Sequence, residues 1–66
     1  MEKVIEINYT ANTKEGADGR PGVILAPEGT PKKEIKALVK EQAELFFPNH
    51  TDVEIESVVT RNKYLS

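Results

Sequence analysis

Few residues of this chain have side chains that could carry out catalysis. The sequence has no cysteine, one histidine (His50) and two serines, Ser57 and Ser66, and no nucleophile motif surrounds either serine. A Ser–His–acid set would need His50 and a distant serine, and a single histidine cannot build a transition-metal site. We therefore expect no enzymatic activity, no metal site and no cofactor, and we interpret His50 as a structural or solvent-exposed residue.

Two groups of acidic residues could bind cations or take part in acid–base chemistry. The segment Glu15–Gly19 has neither the spacing of a phosphate-binding loop nor the spaced carboxylates of an EF-hand. Glu54 and Glu56 would share one face of a strand, but a catalytic carboxylate pair also needs a cleft, for which 66 residues leave little room. The sequence favours a flexible hairpin tip and a solvated sheet face.

A stripe of four lysines follows one flank of a predicted helix: Lys32, Lys33, Lys36 and Lys40. Such a stripe could contact phosphates or an acidic partner. However, no aromatic residues are interleaved with it, three nearby glutamates dilute its field, and the net charge is −2. The stripe is thus the alternative, anion-binding site, which would make the chain a nucleic-acid-binding module.

The helix that carries these lysines is predicted over about 31–47. Thr30 is a good N-cap, Pro31 suits the first helical position and Pro48 ends the helix. At 100° per residue, one apolar face is formed by Ile35, Leu38, Val39 and Phe46, with Gln42 near its middle. Phe47 points away from the centre of that face.

Three segments have the composition of strands. Residues 3–11 and 52–60 alternate apolar and polar side chains, and residues 23–26 form a short apolar run closed by Pro27. The alternation places Ile5, Ile7, Tyr9, Val53, Ile55 and Val59 towards the core. Residues 12–22 contain three glycines and no hydrophobic period, so we expect a flexible loop there.

The order of elements is β-β-α-β, which predicts an α+β fold. We expect a three-stranded mixed sheet in the order 2-1-3, with the helix packed on one face. A chain of 66 residues has room for one domain, over 1–66. The tail, 62–66, is expected either to extend the last strand through Tyr64 and Leu65 or to fray.

The uncovered face of this sheet is the predicted partner-binding surface. By alternation it carries an acidic field with embedded apolar residues, of which we select Val4, Glu6, Glu54, Glu56 and Val58. We expect a small protein-interaction or regulatory module that binds a partner protein, or itself as a homodimer, through this face or through a strand edge. The sequence has no apolar run long enough for a membrane span and no signal-like start, so a cytoplasmic location is expected.

Overall fold

The computed structural model describes residues 3–16 and 18–62 of the chain. The expected behaviour of Tyr64 and Leu65 lies outside the described residues. The elements follow the order strand, strand, helix, strand. Their bounds are β1 (Lys3–Asn12), β2 (Arg20–Pro27), α1 (Lys32–Phe46) and β3 (Asp52–Asn62).

The strand order in the sheet is β2-β1-β3, with β1 in the centre, which confirms the predicted α+β fold and the 2-1-3 order. Both neighbours pair with β1 in the antiparallel sense, so the expectation of a mixed sheet was wrong. The reason is that α1 carries the chain from the end of β2 back to the level at which β2 began, so β3 runs in the same direction as β2. Because β1 lies between these two strands, they never pair with one another.

The strand β2 is longer than the sequence predicted. It begins at Arg20 rather than at residue 23, because Pro21 and Gly22 continue the ladder opposite Thr10 and Tyr9. Proline is compatible with a strand at the edge of a sheet, where its missing N–H can face solvent. The loop between β1 and β2 is correspondingly shorter than the predicted 12–22.

A β-bulge interrupts the pairing of β1 with β3. Tyr9 pairs with Ile55, whereas Asn8 pairs with Ser57, so Glu56 is an extra residue with no direct partner in β1. One extra residue reverses the alternation of every later side chain on the strand. Simple alternation along β3 was therefore wrong beyond Ile55.

The core lies between α1 and one face of the sheet. Its buried members are Ile5, Ile7, Tyr9, Ala11, Ala26, Ile35, Val39 and Ala43, and four partly buried side chains pack against them: Ile24, Phe47, Val53 and Ile55. The inward-facing prediction thus holds for Val53 and Ile55. It fails for Val59, which is 43% exposed because the bulge turns it to the other face.

Tyr9 explains two sequence features of this core. Its hydroxyl donates a hydrogen bond of 2.6 Å to Gln42 Oε1, which satisfies the polar residue in the middle of the helix face. Its ring lies over Gly22 of β2, where an added Cβ would be only 2.2 Å from Tyr9 Cζ. Burial raises the pKa of the Tyr9 phenol, so the side chain is a neutral donor at ordinary pH.

The ends of α1 differ from the predicted ones by one residue. The N-cap is Pro31, with extended backbone, while the Thr30 hydroxyl donates to the Pro27 carbonyl oxygen (2.6 Å) instead of capping the helix. At the other end Phe47 leaves helical geometry (φ −133°, ψ 66°). As a result Phe47 turns towards the core and Phe46 is 62% exposed, the reverse of the helical-wheel prediction.

Candidate functional site

The uncovered face of the sheet contains most, but not all, of the residues selected for it. Val4, Glu6 and Glu54 lie on this face, because they alternate with the buried residues of β1 or pair opposite residues that do. Val58 pairs with Ile7 and so lies on the helix side, where it is 46% exposed. Val59 takes the place opposite Glu6, and Glu56 occupies the bulge.

The carboxylate of Glu6 is already occupied by neighbours on the same face. Arg61 Nε lies 3.1 Å from Glu6 Oε1, and Asn8 Nδ2 donates to Glu6 Oε2 over 3.2 Å. Asn8 Nδ2 also lies 3.3 Å from Ser57 Oγ. The face is therefore not a uniform acidic field: the Glu6 charge is balanced by Arg61, and the acidity is concentrated on β3.

The other edge of the same face is apolar. Val23 and Leu25 of β2 point to this side and are 53% and 64% exposed. Between Arg20 and Glu28 the strand carries no charged residue. Sequence reasoning missed this surface, because a four-residue apolar run does not indicate which of its residues face the core.

A groove between α1 and β2 continues the apolar surface around the edge of the sheet. It has a volume of about 270 Å³ and is lined by Ile24, Leu38, Glu41, Gln42, Leu45 and Phe46. Leu45 is 74% exposed at its rim. Exposed apolar side chains thus flank β2 on both faces of the sheet, from the strand itself on the open face and from α1 on the other. The helical-wheel prediction had instead placed Leu38 and Phe46 in the core.

The lysine stripe borders a different groove, between α1 and β3. All four lysines, Lys32, Lys33, Lys36 and Lys40, are exposed. Lys36 and Lys40 line one wall of this groove, of about 510 Å³, while the start of β3, from Asp52 to Ile55, forms the other. The Asp52 and Glu54 side chains alternate to the uncovered face of β3, at the same edge of the sheet. Their negative charges reduce the positive potential that a phosphate would meet near the lysines.

His50 joins the turn after α1 to the loop before β2. Its Nε2 lies 3.1 Å from Asp18 Oδ2, and Arg20 lies 3.5 Å from the same oxygen. A carboxylate can only accept, so Nε2 carries the proton. The His50 hydrogen bond, followed by the charge of Arg20, holds the pKa of the Asp18 carboxyl below its usual value.

His50 packs against the end of α1. Its ring packs edge-on against Phe47, with 6.0 Å between ring centroids, and Nδ1 is buried without a partner within residues 3–16 and 18–62. Ser57 lies on the opposite side of the sheet, next to Asn8. In the described part of the chain, no three His, Cys, Asp or Glu residues are grouped as metal ligands would be.

Comparison of the chain with protein-family models, with curated proteins and with solved structures gave no match. Within the described residues, α1 is too short and too polar to cross a membrane. The candidate site consequently rests on the geometry of this chain alone. Of the surfaces above, the two sides of β2 combine the largest exposed apolar side chains with a free strand edge.

Proposed function

We propose that this protein is a small non-enzymatic interaction module and that it binds another protein chain through the β2 side of the molecule. The observation that carries the proposal is the exposure of Val23 and Leu25 on one side of an edge strand, with the Leu38–Leu45–Phe46 groove on its other side. We call these residues, together with β2, the β2 surface.

Two physical arguments support this assignment. An edge strand has unpaired backbone N–H and C=O groups, which an added strand can satisfy, and its side chains then decide which strand fits. Apolar side chains in contiguous patches on a soluble protein are typical of interaction sites. We do not propose the nucleic-acid alternative, because the lysines lie beside the acidic strand β3 and the net charge of the chain is −2.

Site-specific photo-crosslinking in cells that express the full chain tests the proposal. A photo-reactive residue is placed at position 25 on β2 or, as a matched control, at position 59 on β3, since both positions are exposed on the same sheet face. Protein adducts should form from position 25 and not from position 59. Equal adducts from both positions, or adducts from position 59 alone, would overturn the assignment to β2.

A further inference from the structure

Two prolines mark which backbone groups of β2 face outward. Pro21 and Pro27 pair with Thr10 and Val4 of β1, and proline has no N–H to give to a ladder. Sheet prolines therefore lie where the N–H would point away from the neighbouring strand. Alternate residues of a strand direct their backbone groups to the same side, so Val23 and Leu25 also point theirs outward. The free edge offers the N–H groups of these two residues, with a proline on either side.

We propose, building on the β2 surface proposed above, that the bound chain is a second copy of this protein. The two β2 strands pair antiparallel about a two-fold axis that passes next to Ile24. Val23 then lies opposite Leu25 of the second copy, and Leu25 opposite its Val23. All four outward N–H groups find carbonyl partners, and a proline faces a proline at each end. The result is one continuous sheet with both helices on the same side.

The charges at the ends of β2 select this register. Arg20 begins the strand and Glu28 follows it, and both are exposed. With Ile24 opposite Ile24 of the second copy, Arg20 lies opposite Glu28 of that copy, and the same ion pair repeats at the other end. If the axis passed next to Val23 instead of Ile24, Glu28 would lie opposite Asp18 of the second copy. Two negative charges would then face each other, which is unfavourable.

The side chains flanking the edge are self-complementary in the same arrangement. On the open face Val23 and Leu25 would meet their counterparts and form a patch of four apolar residues. On the other face, neighbouring strands are about 4.8 Å apart, so the two β1 strands lie about 14 Å apart. Two helices of about 10–12 Å diameter fit side by side over that span. Leu45 and Phe46, which are 74% and 62% exposed, fill the space between the helices.

A disulfide scan reads the register directly, because the chain contains no cysteine. On the proposed axis, Ile24→Cys places two cysteines directly opposite one another. Their Cα atoms would be about 4.5 Å apart, as expected for opposed residues that do not exchange hydrogen bonds. That separation is within the range a disulfide accepts. We expect Ile24→Cys to give a covalent dimer under mild oxidation, with much less from Val23→Cys or Leu25→Cys. Preferential linkage through position 23 or 25 would overturn the register.

Light scattering and amide exchange on the wild-type chain test the association itself. At micromolar to millimolar concentrations we expect a mass approaching twice the 7.4 kDa of one chain. The amide protons of Val23 and Leu25 should exchange slowly in the dimer and rapidly on dilution. A mass of one chain at every concentration, with rapid exchange of both amides, would overturn self-pairing.

Charge substitutions separate this inference from the proposed function. Leu25→Lys should give a monomer, whereas Val59→Lys, on the same face at the other edge, should leave the dimer unchanged. Arg20→Glu and Glu28→Arg should each weaken association, and the double substitution should restore it. If crosslinks from position 25 reach only other proteins and the wild type is a monomer, self-pairing fails while the β2 surface stands. If position 25 gives no adduct, both fail.

Discussion

The two edge strands of this sheet pair with the same central strand but differ in how they meet solvent. β3 carries Asp52, Glu54, Glu56 and Arg61, and a bulge breaks its ladder. β2 has one charged residue, Arg20, at its start and keeps an unbroken register with β1 over eight pairs. Its central side chains, Val23 and Leu25, are both more than half exposed.

Charges and bulges are the devices by which proteins prevent a free strand edge from pairing with another chain. β3 has both devices, whereas β2 has a single charge at its start and two prolines near its ends, which limit the length of a pairing without preventing it. The difference suggests that one edge is protected and the other is available. The two strands should also differ in how well they tolerate the deletion of a residue. The pairing of β2 depends on an unbroken register, whereas β3 already contains a bulge.

Single-residue deletions should give the largest contrast between the two strands. Deleting Ile24 forces one half of β2 to slip by one residue, which places either Pro21 opposite Tyr9 or Pro27 opposite Ile5. A proline in either position removes a ladder hydrogen bond. A domain of this size has only about 3–5 kcal/mol of stability, so we expect this variant to be unfolded at room temperature by circular dichroism.

Deleting Glu56 is the matched change in β3. Because Glu56 has no direct partner, every pairing between β1 and β3 can be kept without it. We expect a folded protein whose free energy of unfolding changes by no more than about 1 kcal/mol. Both variants should be compared at one protein concentration, since association would also affect stability. Similar losses from the two deletions would contradict the contrast.

Gly22→Ala is the next largest expected effect, and it concerns the inner side of β2. The new methyl group would lie 2.2 Å from Tyr9 Cζ, a distance at which the ring must move. Overpacking of this kind costs up to about 3 kcal/mol. Thr60→Ala is the control, because Thr60 lies opposite Ile5 and its side chain is exposed. It should change stability by less than about 0.5 kcal/mol. Urea unfolding measures both, and an unchanged midpoint for Gly22→Ala would refute the close packing.

The sequence predicted the layout of the fold well, because layout depends on periodicity and punctuation. The alternation of Ile5, Ile7 and Tyr9 and the helix between Pro31 and Pro48 are local patterns, and they fix which faces are apolar. The antiparallel direction of β3 was missed, since it depends on where the chain returns relative to β1. The bulge at Glu56 was missed for a similar reason: only the pairing with β1 reveals it.

The candidate site was less predictable than the fold. The acidic face was inferred by alternation, which failed at Val58 beyond the bulge and could not detect that Arg61 reaches back to Glu6. The β2 surface depends on which of Val23 and Ile24 faces the helix, and four apolar residues carry no such information. The one available signal was the even spacing of Pro21 and Pro27 from Val23 and Leu25, which puts all four side chains on one face. Using it requires knowing that β2 extends as far as both prolines.

Loss of the Tyr9–Gln42 hydrogen bond, which lies beside the inner side of β2, should have a smaller effect on stability. Tyr9→Phe leaves Gln42 without its partner and should cost about 1 kcal/mol in the free energy of unfolding. Adding Gln42→Leu removes the second polar group as well and should recover most of that loss. If the double variant is less stable than Tyr9→Phe alone, the bond does not account for Gln42 in the apolar face.

The smallest predicted effect concerns Asp18, which ties the start of β2 to the turn before β3 through His50. The pKa of Asp18 is lowered first by the His50 hydrogen bond and then by Arg20, so the folded state favours its ionised form. A lowered pKa in the folded state contributes stability above the unfolded value of about 3.9, and this contribution is lost as the pH falls through the folded pKa.

An NMR titration should therefore give Asp18 a midpoint below about 3.9, and His50→Asn should raise it towards that value. Because the carboxylate is exposed, salt should reduce the shift. A midpoint unchanged by His50→Asn would mean that Arg20, and not the hydrogen bond from His50, lowers the pKa of Asp18.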